Sequence, residues 1–203
     1  IGFGIAELLA SLGAHTALAS RKMEQLEKAV ASLTGRGWKA TAHQLDVRDP
    51  ERAKSVVQEA KAGAGRIDLL VNNAAGNFYV PSETMSANAW RAVVEIDLYG
   101  TFFCSQAVAP VMREQGGGSI VNISMTLHYR GWPLMAHATA AKAGVDALTR
   151  TLALEWAGDG IRVNAIAPGP IPTEGDKKAF APPGAGPNVP AMDEYAARAI
   201  PLG

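Results

Sequence analysis

Two ionisable residues stand in surroundings that make them chemically conspicuous. Lys142 lies in the first half of a predicted helix from about Pro133 to Trp156, where Ala136, Ala140, Ala143, Val145, Leu148, Leu152 and Leu154 recur at helical spacing. Small residues at 136, 138, 140, 141, 143 and 144 describe a helix whose backbone is approached closely. A lysine there is either a solvated surface residue or a cation placed for work. Asp97 interrupts a second apolar helix pattern containing Trp90, Val93, Val94, Ile96, Leu98, Phe102, Phe103 and Ala107. An aspartate among core residues must be paired or carry a raised pKa. It reads as a proton-handling group or as a structural carboxylate accepting a backbone amide.

The elements around them are short strands alternating with helices. Ser119 to Ile123 is a brief β-branched run after Gly116-Gly-Gly and reads as a buried strand, followed by the loop that leads to the Lys142 helix. Ile161 to Ile166 is the next strand, at the distance a parallel crossover needs, and delivers Pro168-Gly-Pro-Ile171. Earlier strands are expected at Thr16–Ser20, Ala40–Leu45 and Ile67–Val71. Helices are expected at Ile1–Leu12, with Ile5, Leu8, Leu9 and Leu12 on one face and Gly13 as stop, and at Glu24–Leu33. Asp49 caps a further helix with Pro50 in its first turn, and Ser86 caps the helix that carries Asp97.

Composition bounds the reading. With 203 residues, 48% of them hydrophobic, residues 1–203 form one globular domain with room for a core. Nineteen basic residues balance nineteen acidic ones, which argues against nucleic acid or an anionic membrane as the main partner. The single cysteine, Cys104, sits in an apolar run as a small hydrophobe and has no partner for an internal disulfide. No metal site is expected. No apolar run reaches membrane-span length and no leader opens the chain, so a cytoplasmic setting is expected, with the peroxisome left open for a eukaryotic source. The chain starts at Ile1 and stops at Gly203 without a closing strand, so both ends read as cut.

Asn72-Asn-Ala-Ala-Gly76, the strand holding Asn122-Ile-Ser124, Lys142 and Pro168-Gly169 together resemble the short-chain dehydrogenase/reductase family over nearly the whole chain. The resemblance implies a Rossmann-type, doubly wound parallel sheet in three αβα layers, here lacking the first and last strands. Without its central first strand, a protein of these residues alone is expected to aggregate or to bind cofactor poorly. The resemblance also implies a nicotinamide dinucleotide. Gly2 would be the last of three glycines at a helix N-terminus facing the pyrophosphate, though it also reads as a plain helix-start glycine. At the end of the Thr16–Ser20 strand stand Ser20, Arg21 and Lys22 and no acid, which points to a 2′-phosphate and hence NADPH. Further expected contacts are Asp46 and Val47 near the adenine, Asn73, Ala74, Ala75 and Gly76, then Ile123, Lys142, Pro168, Gly169 and Ile171.

Ordinary members reduce carbonyls with a serine, a tyrosine, a lysine and an asparagine. This chain has Met125, Ala138, Lys142 and Asp97 at those places, and methionine and alanine can neither polarise a carbonyl nor protonate it. That pattern is similar to one branch, the peroxisomal-type 2,4-dienoyl-CoA reductases and their bacterial relatives. It shares Ala74-Ala-Gly-Asn-Phe78, Ile96-Asp97, His137-Ala138 and Ala167-Pro-Gly-Pro-Ile-Pro-Thr-Glu-Gly175. The branch implies NADPH-dependent reduction of a dienoyl thioester to 3-enoyl-CoA, with Asp97 and Lys142 catalytic. Asn77, Phe78, Tyr129 and His137 are candidate substrate contacts, and residues 172–195 a loop closing over the acyl-CoA. A homotetramer joined through the Asp97 and Lys142 helices is expected. A carbonyl or 3-ketoacyl reductase, or a nucleotide-binding homologue without catalysis, remains as an alternative.

Overall fold

A computed structural model describes residues 1–169 and 171. The expected substrate loop at 172–195 lies outside them. Five parallel strands alternate with helices: α1 Gly2–Ser11, β1 Thr16–Ser20, α2 Met23–Thr34, β2 Ala40–Gln44, α3 Pro50–Ala64 and β3 Leu69–Asn72. After β3 come α4 Ala87–Val94, α5 Gly100–Glu114, β4 Gly118–Ile123, α6 Ala136–Glu155 and β5 Ile161–Ile166. The two expected caps are in place. Asp49 accepts from the Glu51 and Arg52 amides, and Ser86 accepts from Ala89.

The strands pair in two groups, β1 with β2 and β3-β4-β5, every pairing parallel. One apolar cluster spans both groups, because Leu45 beyond β2, Ala53 and Val56 of α3, Cys104 and Ala107 of α5 and Leu70 of β3 pack together. A second cluster seats Val108 and Met112 of α5 and Leu152 of α6 on Ile120, Ile161 and Val163 of the sheet. Gly116-Gly-Gly serves the approach of two turns. Gly117 has φ 135°, and a Cβ there would stand 2.6 Å from the Gly160 carbonyl oxygen.

Three departures from the periodicity matter for the site. The helix that begins after Ser86 is not uniform: α4 passes through a π-helical turn, Glu95–Tyr99, before α5 begins. On α6 the buried face is not the expected alanine and leucine stripe, since Leu154 is 82% exposed and Ala140 and Ala143 are exposed as well. The face turned inward carries Ala138, Ala141, Lys142, Val145, Asp146, Thr149 and Leu152. Lys142 is therefore a buried residue, and the solvated-surface reading falls. On α1 the expected apolar face is largely open, with Leu8 61% and Leu12 76% exposed.

Candidate active site

The π-helical turn gathers the chemistry. A turn with one extra residue breaks the α register and re-aims side chains, a device concentrated at functional sites. Here it carries Asp97 inward until only 1% of it is exposed. Its Oδ1 accepts from the Gly76 amide at 2.7 Å, and its Oδ2 stands 3.8 Å from Lys142 Nζ. Lys142, 5% exposed, donates to the Ile123 carbonyl at 2.6 Å. Four segments thus meet: the end of β4, the loop after β3, the π-helical turn and α6.

Burial dominates the electrostatics of the pair. Loss of water pushes the Asp97 carboxyl up to about 6, and Lys142 and the Gly76 N–H pull it only partly back. The same loss of water lowers the Lys142 ammonium, against the opposing pull of Asp97. Asp97 is both a structural acceptor and a carboxyl that titrates near neutrality, so it can hold or release a proton at working pH. The two protons belong to the pair.

Met125 and Ala138, which bring no hydroxyl, belong to one cluster of packed side chains. Ala138 is buried with Val93 and Met135, and Met125, Leu127, Trp132 and Tyr79 pack against them. Phe78 stands edge-on to His137 with ring centroids 4.7 Å apart. The Asn77 amide nitrogen reaches Met135 Sδ at 3.7 Å. Tyr129 is 68% exposed, and its hydroxyl donates to Asp146 at 2.8 Å, where His128 also pairs. Three of the expected substrate contacts, Asn77, Phe78 and His137, therefore cluster, while Tyr129 is engaged elsewhere.

The expected cofactor residues run along the C-terminal ends of the strands. A Cβ on Gly2 would stand 2.7 Å from the Asn73 side-chain amide nitrogen, so a side chain there would have to displace the end of Asn73. Ala74 and Ala75 are exposed beside it. Arg21 and Lys22 follow β1, exposed and outside any ion pair among the described residues. Pro168 and Gly169 continue from β5, which is tied to β4 by the Ser124 amide donating to Ile166, and Ile171 is 42% exposed. A glycine at the helix start, a small-residue floor and two exposed cations fit a phosphorylated dinucleotide. Val47 packs its side chain against Gly100, leaving a Cβ there only 2.5 Å of space.

Two features escaped the sequence reading. Arg48 grips Asp46 through Nε at 2.9 Å and a terminal nitrogen at 2.5 Å, holding that carboxyl down at about 2. The Asp46-Val-Arg48 spacing was its only signal. A polar ladder also crosses the sheet: Asn72 donates to Ser105 at 3.0 Å and to Asn122 at 2.8 Å, and Asn122 donates to Thr149 at 2.8 Å. Both asparagines belong to recognisable segments, but their partners are remote in sequence. Among the described residues no cluster of three metal-ligand side chains occurs and no helix is long and apolar enough to cross a membrane.

A family model described as Enoyl-(Acyl carrier protein) reductase matches residues 1–202. A peroxisomal 2,4-dienoyl-CoA reductase of Danio rerio, named as producing (3E)-enoyl-CoA, is 48% identical over 180 residues, covering 88% of this chain and 60% of that protein. A Bacillus subtilis protein named probable 2,4-dienoyl-CoA reductase, producing (2E)-enoyl-CoA, is 44% identical over 89% of this chain and 72% of its own. A solved short chain dehydrogenase of Bacillus anthracis superposes with a TM-score of 0.79 at 43% identity, over 84% of this chain and 72% of that one. The chain thus spans about three fifths of the zebrafish protein's length.

Proposed function

Since the chain belongs to the short-chain dehydrogenase/reductase family, we propose that it reduces 2,4-dienoyl-CoA thioesters with NADPH to 3-enoyl-CoA in fatty acid β-oxidation. The observation that carries this reading is a protonable carboxyl, Asp97, buried beside Lys142, which lies on a helix whose preceding turn carries Ala138 rather than a hydroxyl-bearing residue.

Bound NADPH supplies a hydride to C5 of the conjugated thioester. Electrons then shift so that a C3=C4 double bond forms and negative charge spreads over C2, C4 and the thioester oxygen. That oxygen needs hydrogen-bond donors rather than a strong acid. A proton given to C2 yields the 3-enoyl product, whereas one given to C4 yields the 2-enoyl product. The names of the zebrafish and Bacillus subtilis relatives divide along that line. Protonated Asp97, or a water it holds, delivers the proton to C2 in our reading. The resulting carboxylate keeps the Gly76 amide and the Lys142 ammonium as partners.

Lys142, fixed by the Ile123 carbonyl, binds the nicotinamide ribose. Arg21 and Lys22 receive the 2′-phosphate, Gly2 the pyrophosphate, and Asp46 and Val47 the adenine. Asn73 to Gly76 with Ile123, Pro168, Gly169 and Ile171 complete the cofactor wall. Asn77, Phe78 and His137 face the acyl group, with Tyr129 at the rim and residues 172–195 closing over it. The active form is a homotetramer joined through α5 and α6.

The deciding experiment mixes the intact protein with NADPH and 2,4-hexadienoyl-CoA, follows NADPH consumption and identifies the product. Steady turnover to the 3-enoyl isomer is expected. An intact protein that leaves NADPH unconsumed, or that reduces acetoacetyl-CoA instead, defeats the reading.

A further inference from the structure

Helix α6 starts without a side-chain cap, since Met135 at its N-cap offers no acceptor. His137 in the first turn takes up one free amide itself: the Ala138 N–H donates to His137 Nδ1 at 2.7 Å. A ring nitrogen that accepts carries no proton, so the neutral imidazole holds its hydrogen on Nε2. Burial favours that neutral form and lowers the pKa. Nε2–H is thus a donor. Yet His137 is 0% exposed, and its Nε2 has no hydrogen-bond partner among the described residues. An unmet buried donor is costly to keep in a fold.

The backbone around it is held in place at some cost. Leu134 adopts φ 65°, a left-handed conformation unusual for leucine, and its carbonyl accepts from the Val80 amide at 3.0 Å. That bond clips the segment after Gly76 to the turn before α6, where Phe78 meets the His137 ring. Asn77 Oδ1 in the same segment is also buried without a hydrogen-bond partner among the described residues.

Building on the dienoyl thioester reading above, we propose that His137 Nε2–H donates a hydrogen bond to the thioester oxygen of the substrate. This is the atom on which charge collects once hydride has been added. His137 directly precedes Ala138, the place where a carbonyl-reducing relative carries its tyrosine donor. A neutral imidazole suits an enolate well, because it stabilises the oxygen without surrendering its proton, leaving protonation to C2.

The test uses the intact protein and three variants, His137→Leu, His137→Gln and His137→Asn. The terminal amide of glutamine reaches about where Nε2 stands, whereas that of asparagine matches Nδ1. His137→Leu should lower kcat on 2,4-hexadienoyl-CoA by on the order of 10²-fold with KM for NADPH unchanged. Glutamine should recover at least about tenfold of that and asparagine should not. In the complex with NADP⁺, the thioester carbonyl stretch of bound hexadienoyl-CoA should return toward its solution frequency in His137→Leu. Wild-type kcat and an unmoved stretch in that variant overturn the proposal. Equal activity of the glutamine and asparagine variants also overturns it, and that comparison stands even if the leucine variant does not fold. A wild-type protein inert toward dienoyl-CoA marks the failure of the dienoyl reading itself, and the donor assignment falls with it.

Discussion

At the scale of single residues, Asp97 sets how the protein should respond to pH. Its folded pKa is raised from 3.8 to about 6, mainly by burial, so the protonated fraction is full below pH 5 and shrinks as pH rises through 6. If that proton goes to substrate, kcat should fall with rising pH above about 6, approaching tenfold per unit, with the limb shared between Asp97 and Lys142. Asp97→Asn keeps the shape but offers no acidic proton. Its kcat should drop by on the order of 10²- to 10⁴-fold and lose that limb, which a pH series under saturating NADPH would reveal. A limb retained in the variant would move the titrating group elsewhere. The exposed pair Arg21 and Lys22 carries a second prediction. Charged hydrogen bonds to phosphate are worth about 1.5–3 kcal/mol each. Arg21→Ala should therefore raise KM for NADPH about 10- to 100-fold while leaving KM for NADH nearly unchanged. These residues were legible because each has the wrong type for its neighbourhood: an aspartate in an apolar helix, a lysine among alanines, two bases where a nucleotide fold can place an acid. The tautomer of His137 and the grip of Arg48 on Asp46 were not, because both depend on bond geometry rather than on residue type.

At the scale of elements, the site depends on how α5 and α6 are held across the sheet. Ser105 on α5, Asn72 on β3, Asn122 on β4 and Thr149 on α6 form one run of buried hydrogen bonds, with Ser105 and Asn122 0% exposed. Ser105 and Thr149 also donate to the carbonyls one turn back, at Thr101 and Val145. Replacing Asn122 by leucine removes an acceptor from Asn72 and a donor from Thr149 together, leaving both buried. Such a loss costs about 1–3 kcal/mol per stranded group. The Asn122→Leu protein should unfold at a clearly lower denaturant midpoint, and its kcat should fall as Asp97 and Lys142 lose their fixed spacing. An unchanged midpoint would show that the ladder contributes little. Helical spacing, glycine stops and caps at Asp49 and Ser86 made most elements readable, with ends off by a few residues. The π-helical turn was invisible, since one inserted residue leaves Ile96 and Leu98 apolar and the periodicity around them plausible either way. On α6 the alanines misled. Periodicity counts any apolar residue as buried, whereas hydrogen bonding drew Lys142 and Thr149 inward and left Leu154 outside.

At the scale of the whole molecule, the helices that build the site also present an apolar face among the described residues. Leu98, Tyr99, Phe102 and Phe103, on the π-helical turn and the start of α5, join Leu148 of α6 in a concave face of aliphatic and aromatic side chains. Tyr99 is 49% exposed there, and the Tyr99, Phe103 and Phe102 rings lie in tilted succession at 6.2 and 5.9 Å. A zero net charge sets no long-range repulsion against a second copy of the chain. A face of this kind gains by pairing with itself about a two-fold axis, since each copy then covers the rings of the other. In the proposed tetramer this contact is one of the interfaces, and Asp97, the residue before Leu98, lies immediately behind it. A carboxylate buried in such a contact would be left without a partner. Phe103→Glu should therefore shift the intact protein to a smaller species in size-exclusion chromatography with light scattering. It should also lower kcat, because the π-helical turn loses the packing that keeps Asp97 against Gly76. If the variant keeps both its mass and its activity, assembly uses another surface and the turn holds Asp97 without help from a neighbouring copy.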